Sequence, residues 1–326
     1  MKAIRINEFG GAEVLKQENI SRPVAAADEI LVRVFASGVN PVDWAIRNGN
    51  DALRSFLTLP MTLGWDAAGI VEEMGSDVVG FKKGDAVYGV PNFPGNGSYA
   101  EYCSAKATQF SHKPKSLTFN QASAVPLAAL TAWTGMFEYG RLQPGQRILI
   151  LGASGGVGSF AVQFAKAKGA YVIGVASTNN LDYLRQLGAD EVIDYTIQNV
   201  EEELNDIDVV VEASPVRDHA SRINLVRVLK DSGTFVSVNV DFPFNEETLK
   251  ALAIKNAKGA LAPNQPRQEW LREIAQLIDE GKVNVFINKV YPLAQVADAH
   301  HESETLHVRG KLVLEIRKEE EQHDNF

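Results

Sequence analysis

The chain has 326 residues, enough for about two domains at roughly 150 residues each, with a single barrel as the competing architecture. At 45% apolar and 22% charged residues it can bury large cores, which excludes intrinsic disorder for most of its length. Against 32 Lys and Arg stand 41 Asp and Glu, and the net charge of −9 repels phosphate backbones and anionic lipid surfaces, so neither nucleic acid nor a membrane is expected as a partner.

Cys103 is the one cysteine; it cannot close a disulfide within the chain and falls three thiolates short of a four-cysteine zinc site. Arg5 and Glu8 interrupt the start where a secretion signal needs an apolar run, and the most apolar stretch, 122–137, is too short to span a bilayer and holds Pro126. A cytoplasmic protein is the expectation.

In chain order, residues 29–38, 67–75, 84–90 and 97–105 read as short strands punctuated by Gly, Pro and Asn, the pattern of an all-β unit with functional loops. Alternation in the last of them assigns Tyr99, Glu101 and Cys103 to one face and Ala100 and Tyr102 to the other. Past residue 121 the pattern changes. An apolar strand at 147–151 meets a glycine turn, and Val157, Phe160, Ala161, Phe164 and Ala165 then recur at helical spacing up to a stop at Gly169. Strands at 171–176, 191–195, 208–213 and 233–239, alternating with helical sequence, predict a doubly wound parallel sheet covered on both faces. An amphipathic helix at 268–280, an apolar run at 283–287 and a strand at 310–316 follow, and the charged end 317–326 reads as a disordered tail.

The turn Gly152-Ala153-Ser154-Gly155-Gly156-Val157-Gly158 follows a strand and opens a helix, the context a dinucleotide pyrophosphate needs: unpaired N–H groups and the helix dipole favour negative charge there. Gly155 and Gly156 allow close backbone approach, and Gly158 allows the helix to pack on the sheet. Ala153 departs from the G-x-G-x-x-G pattern. About 20 residues on, where an acid would select the ribose 2′-hydroxyl of NAD, stand Ser177, Thr178 and Asn179. All three can donate to a 2′-phosphate, so NADPH is favoured over NADH, although no Arg or Lys accompanies them.

Seven segments, GVNPVDW (38–44), LGWDAAGIVEEMG (63–75), GSYAEY (97–102), LTAW (130–133), GASGGVG (152–158), LGADEVIDY (187–195) and RGKLVL (309–314), together resemble the medium-chain dehydrogenase/reductase superfamily. The sequence looks most like its zinc-independent branch, the NADPH-dependent quinone oxidoreductases that include zeta-crystallin. That resemblance implies a GroES-like, mostly β catalytic domain over 1–121 and 263–316, and a Rossmann NADP-binding domain inserted at 122–262. It further implies a homodimer joined through an outer Rossmann strand near 258–262.

Compared with zinc-dependent relatives, Asn40 replaces a cysteine ligand and Gly64-Trp65-Asp66 replaces Gly-His-Glu, so no zinc is expected; His300 and His301 point about 100° apart on a helix and His307 lies in a loop. The resemblance places Asn40 near nicotinamide and substrate, with a turn residue before Pro41 as the structural alternative. Trp65, with Trp44, walls the pocket or else packs in the core. Asp66 supports its neighbours, and donates a proton only if burial raises its pKa. Thr131 is similar to the residue that touches the nicotinamide ring, and Tyr195 to a tyrosine near the adenosine 2′-phosphate. Cys103 reads as structural.

The function implied is hydride transfer from nicotinamide C4 to a quinone or related conjugated carbonyl, with NADPH-dependent enone or enal reduction as the alternative. No tyrosine occurs in Asn48–Asp51, where enoyl-thioester reductases carry one, which argues against an acyl thioester. A reading from another class is a nucleotide-binding sensor or structural protein with little turnover.

Overall fold

The computed structural model describes residues 1–50, 54–93, 95–215 and 217–319. The chain divides into two compact units. One comprises Met1–Leu127, Pro266–Gly281 and Val285–Phe326; the other comprises Ala128–Gln265 and Lys282–Asn284.

The second unit is a six-stranded parallel sheet in the order Glu191–Asp194, Tyr171–Ala176, Arg147–Leu151, Ile207–Glu212, Leu229–Ser237, Lys258–Leu261. The strand that comes first in the chain, Arg147–Leu151, therefore lies centrally and the chain winds outward both ways, the doubly wound order that leaves a crevice at the carboxyl ends of the strands. Strands buried on both faces need unbroken apolar runs. Ile148, Leu149 and Ile150, and likewise Val209, Val210 and Val211, are fully or nearly fully buried. The helix Gly156–Ala167 packs on this sheet and buries Phe160, Ala161, Phe164 and Ala165, as its spacing predicts, while Val157, expected on the same face, is half-buried in the first turn. At the strand ends Arg222 forks onto the Glu212 carboxylate (Nε–Oε1 2.9 Å, Nη2–Oε2 2.6 Å), and the Ser237 hydroxyl donates to the same carboxylate at 2.6 Å. A buried ion pair of this kind persists only when its remaining hydrogen-bonding groups are also met.

The first unit is mostly β. Its larger sheet runs Ile287–Pro292, Lys311–Glu315, Glu29–Val39, Ala67–Met74, Ala86–Gly89, Phe110–His112, with Tyr102–Lys106 also paired to Glu29–Val39. A smaller sheet joins Lys2–Ile6 to Lys16–Asn19 and Met61–Thr62. The returning segment enters with the helix Gln268–Asp279, which buries Leu271, Ile274, Leu277 and Ile278, and its strand Lys311–Glu315 pairs antiparallel with Glu29–Val39. The α/β class, a Rossmann sheet with a GroES-like β unit, is thus the observed one.

Three local expectations fail. Strand pairing of the 97–105 segment begins only at Tyr102, save for one bridge at Ala100, and Tyr99 and Ala100 are both buried, so period-2 alternation does not hold there. The apolar run 283–287 is not itself a strand; the strand starts at Ile287, where pairing with Lys311 begins. Residues 317–319 are engaged: Arg317 meets Glu101 at 3.6 Å and stacks over Tyr102, and Glu319 accepts from the Phe119 N–H. The rest of the expected tail, 320–326, and Asp51 lie outside the described residues.

Candidate functional site

In the β unit, Asn40 ends a long buried strand and caps the helix Pro41–Arg47. Pro41 at its first position costs no hydrogen bond, and the Asp43 carboxylate accepts from the Asn40 N–H at 2.7 Å. The Asn40 side chain turns inward: its amide donates to Asp66 Oδ2 at 2.8 Å and its carbonyl oxygen accepts from Lys311 Nζ at 2.5 Å. Lys311 also donates to the Val39 carbonyl (2.9 Å) and to Asp66 (3.2 Å), and the Leu127 N–H donates to Asp66 Oδ1 at 2.6 Å. Asn40, Asp66 and Lys311 are all at least 96% buried.

Local backbone makes room for this cluster. A Cβ at Gly38 would lie 2.5 Å from both Asp66 Oδ2 and the Ser123 carbonyl, so only glycine fits opposite the carboxylate. Gly64 takes φ +97° and brings its backbone against Tyr99, while the Ser37 and Ser98 hydroxyls each donate to the Asp66 carbonyl at 2.7 Å. Burial raises the Asp66 carboxyl above its ordinary range, against the pull of Lys311, Asn40 and the Leu127 N–H. The contacts of its carboxylate are all with donors.

Asn40 therefore has its amide oxygen and one amide hydrogen committed. Trp65 is 1% exposed, packs edge-on to Phe93, and its indole N–H meets no acceptor among the described residues. Trp44 is tied elsewhere, its indole donating to Ser303 at 3.2 Å. Cys103 is buried in the β core and burial pushes its thiol up to about 12, as a structural role requires.

Behind this cluster runs a polar chain that sequence reasoning missed. Arg47 donates to His300 Nδ1 (3.1 Å), His300 Nε2 lies 3.3 Å from the Tyr99 hydroxyl, and Tyr99 donates to Asp43 at 2.7 Å. Because arginine only donates, His300 accepts at Nδ1 and carries its hydrogen on Nε2. Burial and Arg47 push His300 down to about 3, and burial pushes Asp43 up to about 7. No local motif announces these contacts. Lys311 was missed as well, and only the register Leu312 opposite Val39 brings it beside Asn40.

In the parallel-sheet unit, the glycine turn occupies the carboxyl end of the central strand. Gly152 has φ +70°, and a Cβ at Gly158 would meet the Gly152 carbonyl at 2.2 Å, which accounts for both glycines. A Cβ at Gly155 would touch only that carbonyl, at 3.4 Å, so the space above Gly155 is open. The first-turn N–H groups of Gly156, Val157 and Gly158 have no partner within their own helix. Ala153 is buried against Gly174, so its departure from the glycine pattern leaves the turn intact. Ser154 is half-buried beside it. Thr131 accepts from Asn264 Nδ2 at 3.0 Å, and its helix passes directly into a π-helical turn at Thr134–Tyr139.

Past the next strand, Tyr171–Ala176, Ser177 accepts from Asn180 (3.1 Å) and keeps its own hydrogen; Asn179 lies in the 3-10 turn Thr178–Asn180; Tyr195 is 55% exposed. Thr178 corrects the expectation made for it. Its hydroxyl donates to Asp194 Oδ2 at 2.5 Å, so it has no hydrogen left for a phosphate. Among the described residues no group of three or more His, Cys, Asp or Glu is placed to hold a metal ion, and the amide, indole and carboxylate at positions 40, 65 and 66 do not form a zinc donor set.

Comparison with known proteins agrees with this architecture. The alcohol dehydrogenase GroES-like domain family matches residues 26–115, and the family described as zinc-binding dehydrogenase matches 187–314. The mitochondrial NAD(P)H oxidoreductase RTN4IP1 of Mus musculus is 34% identical, over 97% of this chain and 89% of its own. The chloroplastic NADPH-dependent alkenal/one oxidoreductase of Arabidopsis thaliana is 35% identical, over 96% and 79%. Among solved structures, the quinone oxidoreductase of Coxiella burnetii superposes with TM-score 0.89 at 33% identity, covering 97% of this chain and 99% of that one. The Escherichia coli quinone oxidoreductase complexed with NADPH gives 0.86 at 29% identity, covering 97% and 100%.

The chain belongs to the medium-chain dehydrogenase/reductase family, among its quinone oxidoreductases and alkenal reductases, and is an oxidoreductase. No helix among the described residues is long and apolar enough to cross a membrane.

Proposed function

We propose that the protein is a zinc-independent, NADPH-dependent reductase of quinones or related conjugated carbonyls. The observation that carries this reading is the glycine turn, open above Gly155, at the head of a doubly wound sheet. Gly152, Ser154, Gly155, Gly156, Val157 and Gly158 would cradle the pyrophosphate, with Thr131 toward the nicotinamide and Ser177, Thr178, Asn179 and Tyr195 toward the adenosine ribose. The nicotinamide supplies the hydride at C4. The chain's part is to orient an acceptor that is already electron-poor, and the remaining Asn40 N–H and the unpartnered Trp65 indole N–H are two donors for its carbonyl oxygen. The wholly committed contacts of Asp66 favour a positioning role over proton donation.

The relatives named as quinone oxidoreductase and as alkenal/one oxidoreductase support both acceptor classes. A cytoplasmic homodimer, joined through the edge strand Lys258–Leu261, completes the proposal; relatives named mitochondrial and chloroplastic make location a separate measurement. The test is oxidation of NADPH by the purified protein with a panel of ortho- and para-quinones, enals and enones. Turnover with at least one class is expected. Tight nucleotide binding with no acceptor-dependent oxidation would leave the sensor reading instead.

A further inference from the structure

Asp194 closes the strand Glu191–Asp194 next to the turn that carries Ser177, Thr178 and Asn179. Its two carboxylate oxygens divide two threonines between them. Thr178 Oγ1 donates to Oδ2 at 2.5 Å, and Thr196 donates to Oδ1 from both its hydroxyl (2.6 Å) and its N–H (3.0 Å). These bonds hold the carboxyl below its ordinary range, and the Thr178 bond is the largest cause. An ionised carboxylate only accepts, and a hydroxyl has one hydrogen, so both threonine hydrogens point at Asp194 and both oxygens show a ligand lone pairs alone. The two hydroxyl oxygens lie 3.1 Å apart, one acceptor surface backed by a negative charge.

A ribose 2′-hydroxyl and a 2′-phosphate meet that surface differently. The hydroxyl can donate to Thr178, whereas the phosphate brings close to two charges and only acceptors of its own. Residues 177–180 and 194–196 contain no Lys or Arg to offset them, which leaves a phosphate only neutral side chains, Ser177, Asn179 and Tyr195 among them. We propose that Asp194 sets cofactor choice: by claiming both threonine hydrogens it makes Thr178 an acceptor and lets NADH compete with NADPH. The inference rests on the nucleotide-site reading above and deepens it.

The experiment is titration of NADPH and NADH into the full chain and into Asp194→Asn and Thr178→Val, read as the ratio of the two Kd values. The two threonines donate to different carboxylate oxygens, and in asparagine one of those positions becomes an NH2 donor, so one hydroxyl hydrogen is released and a charge is lost. Asp194→Asn should therefore shift the ratio toward NADPH by about tenfold, chiefly through tighter NADPH. The near-isosteric Thr178→Val removes an acceptor and should weaken NADH several-fold while leaving NADPH within about twofold, a test that stands even if the Asp194 variant does not fold. An unmoved ratio in folded Asp194→Asn, or a larger loss of NADPH than of NADH in Thr178→Val, overturns the inference while the nucleotide site stands. If the unaltered chain binds neither nucleotide, the site reading itself falls, and the inference with it.

Discussion

On the function proposed above, the glycine turn of the parallel-sheet unit and the polar cluster of the β unit offer ligands two opposite kinds of chemistry. The turn acts through backbone: seven consecutive residues, N–H groups fixed by a helix start, and glycines wherever a Cβ would collide. The cluster acts through side chains drawn from positions 40, 66 and 311, each held by the others in a buried setting. Backbone sites tolerate most changes except those that fill the space. Side-chain clusters fail when any one member is removed, because the rest are left buried and unpaired.

The largest effect expected from this contrast is at the turn. Gly156→Asp should abolish NADPH binding and leave the circular dichroism spectrum unchanged, since a carboxylate would face the pyrophosphate at the helix N-terminus; unchanged affinity would remove the turn from the binding site. In the cluster, Lys311→Met strips Asp66 of its cation and should cost about 3–5 kcal/mol in urea unfolding. A loss below about 1 kcal/mol would mean the cluster is no more cooperative than surface polar groups.

Asp43 gives a pH-dependent version of the same test. Its folded pKa of about 7 stands above the ordinary 3.8, so the folded state holds a proton that the unfolded chain has released. Stability from this group therefore falls as pH rises from about 4 to about 7 and is level above that, with a swing of at most about 4 kcal/mol. Asp43→Asn should be flatter than the unaltered chain across that window; parallel curves would show Asp43 ionised throughout. The smallest effect is at the ribose end, where Asn179→Asp should shift the Kd ratio toward NADH by about tenfold, because a carboxylate repels a 2′-phosphate. If only the overall affinity moves, position 179 lies away from the 2′ position.

How legible each region was in the sequence follows from the range of its interactions. Strands such as Arg147–Leu151 and the helix Gly156–Ala167 carry their periodicity locally, and the turn between them is a contiguous motif. Asn40, Trp65 and Asp66 stood out only as departures at positions where the resemblance expects metal ligands. Lys311, Asp43, Tyr99 and His300 gave no such signal, and neither did the Arg222–Glu212 pair.

By itself the sequence determined the fold class, the two unlike regions and the glycine turn, because apolar periodicity and glycine's freedom at positive φ are properties of neighbouring residues. Only the tertiary structure decided what each polar side chain can still offer a ligand. It joined Lys311 to Asn40 across 271 positions of chain, and Thr178 to Asp194 across 16. Hydrogen-bonding capacity is finite: a hydroxyl has one hydrogen to give, and which acceptor claims it is settled by strands that meet in space.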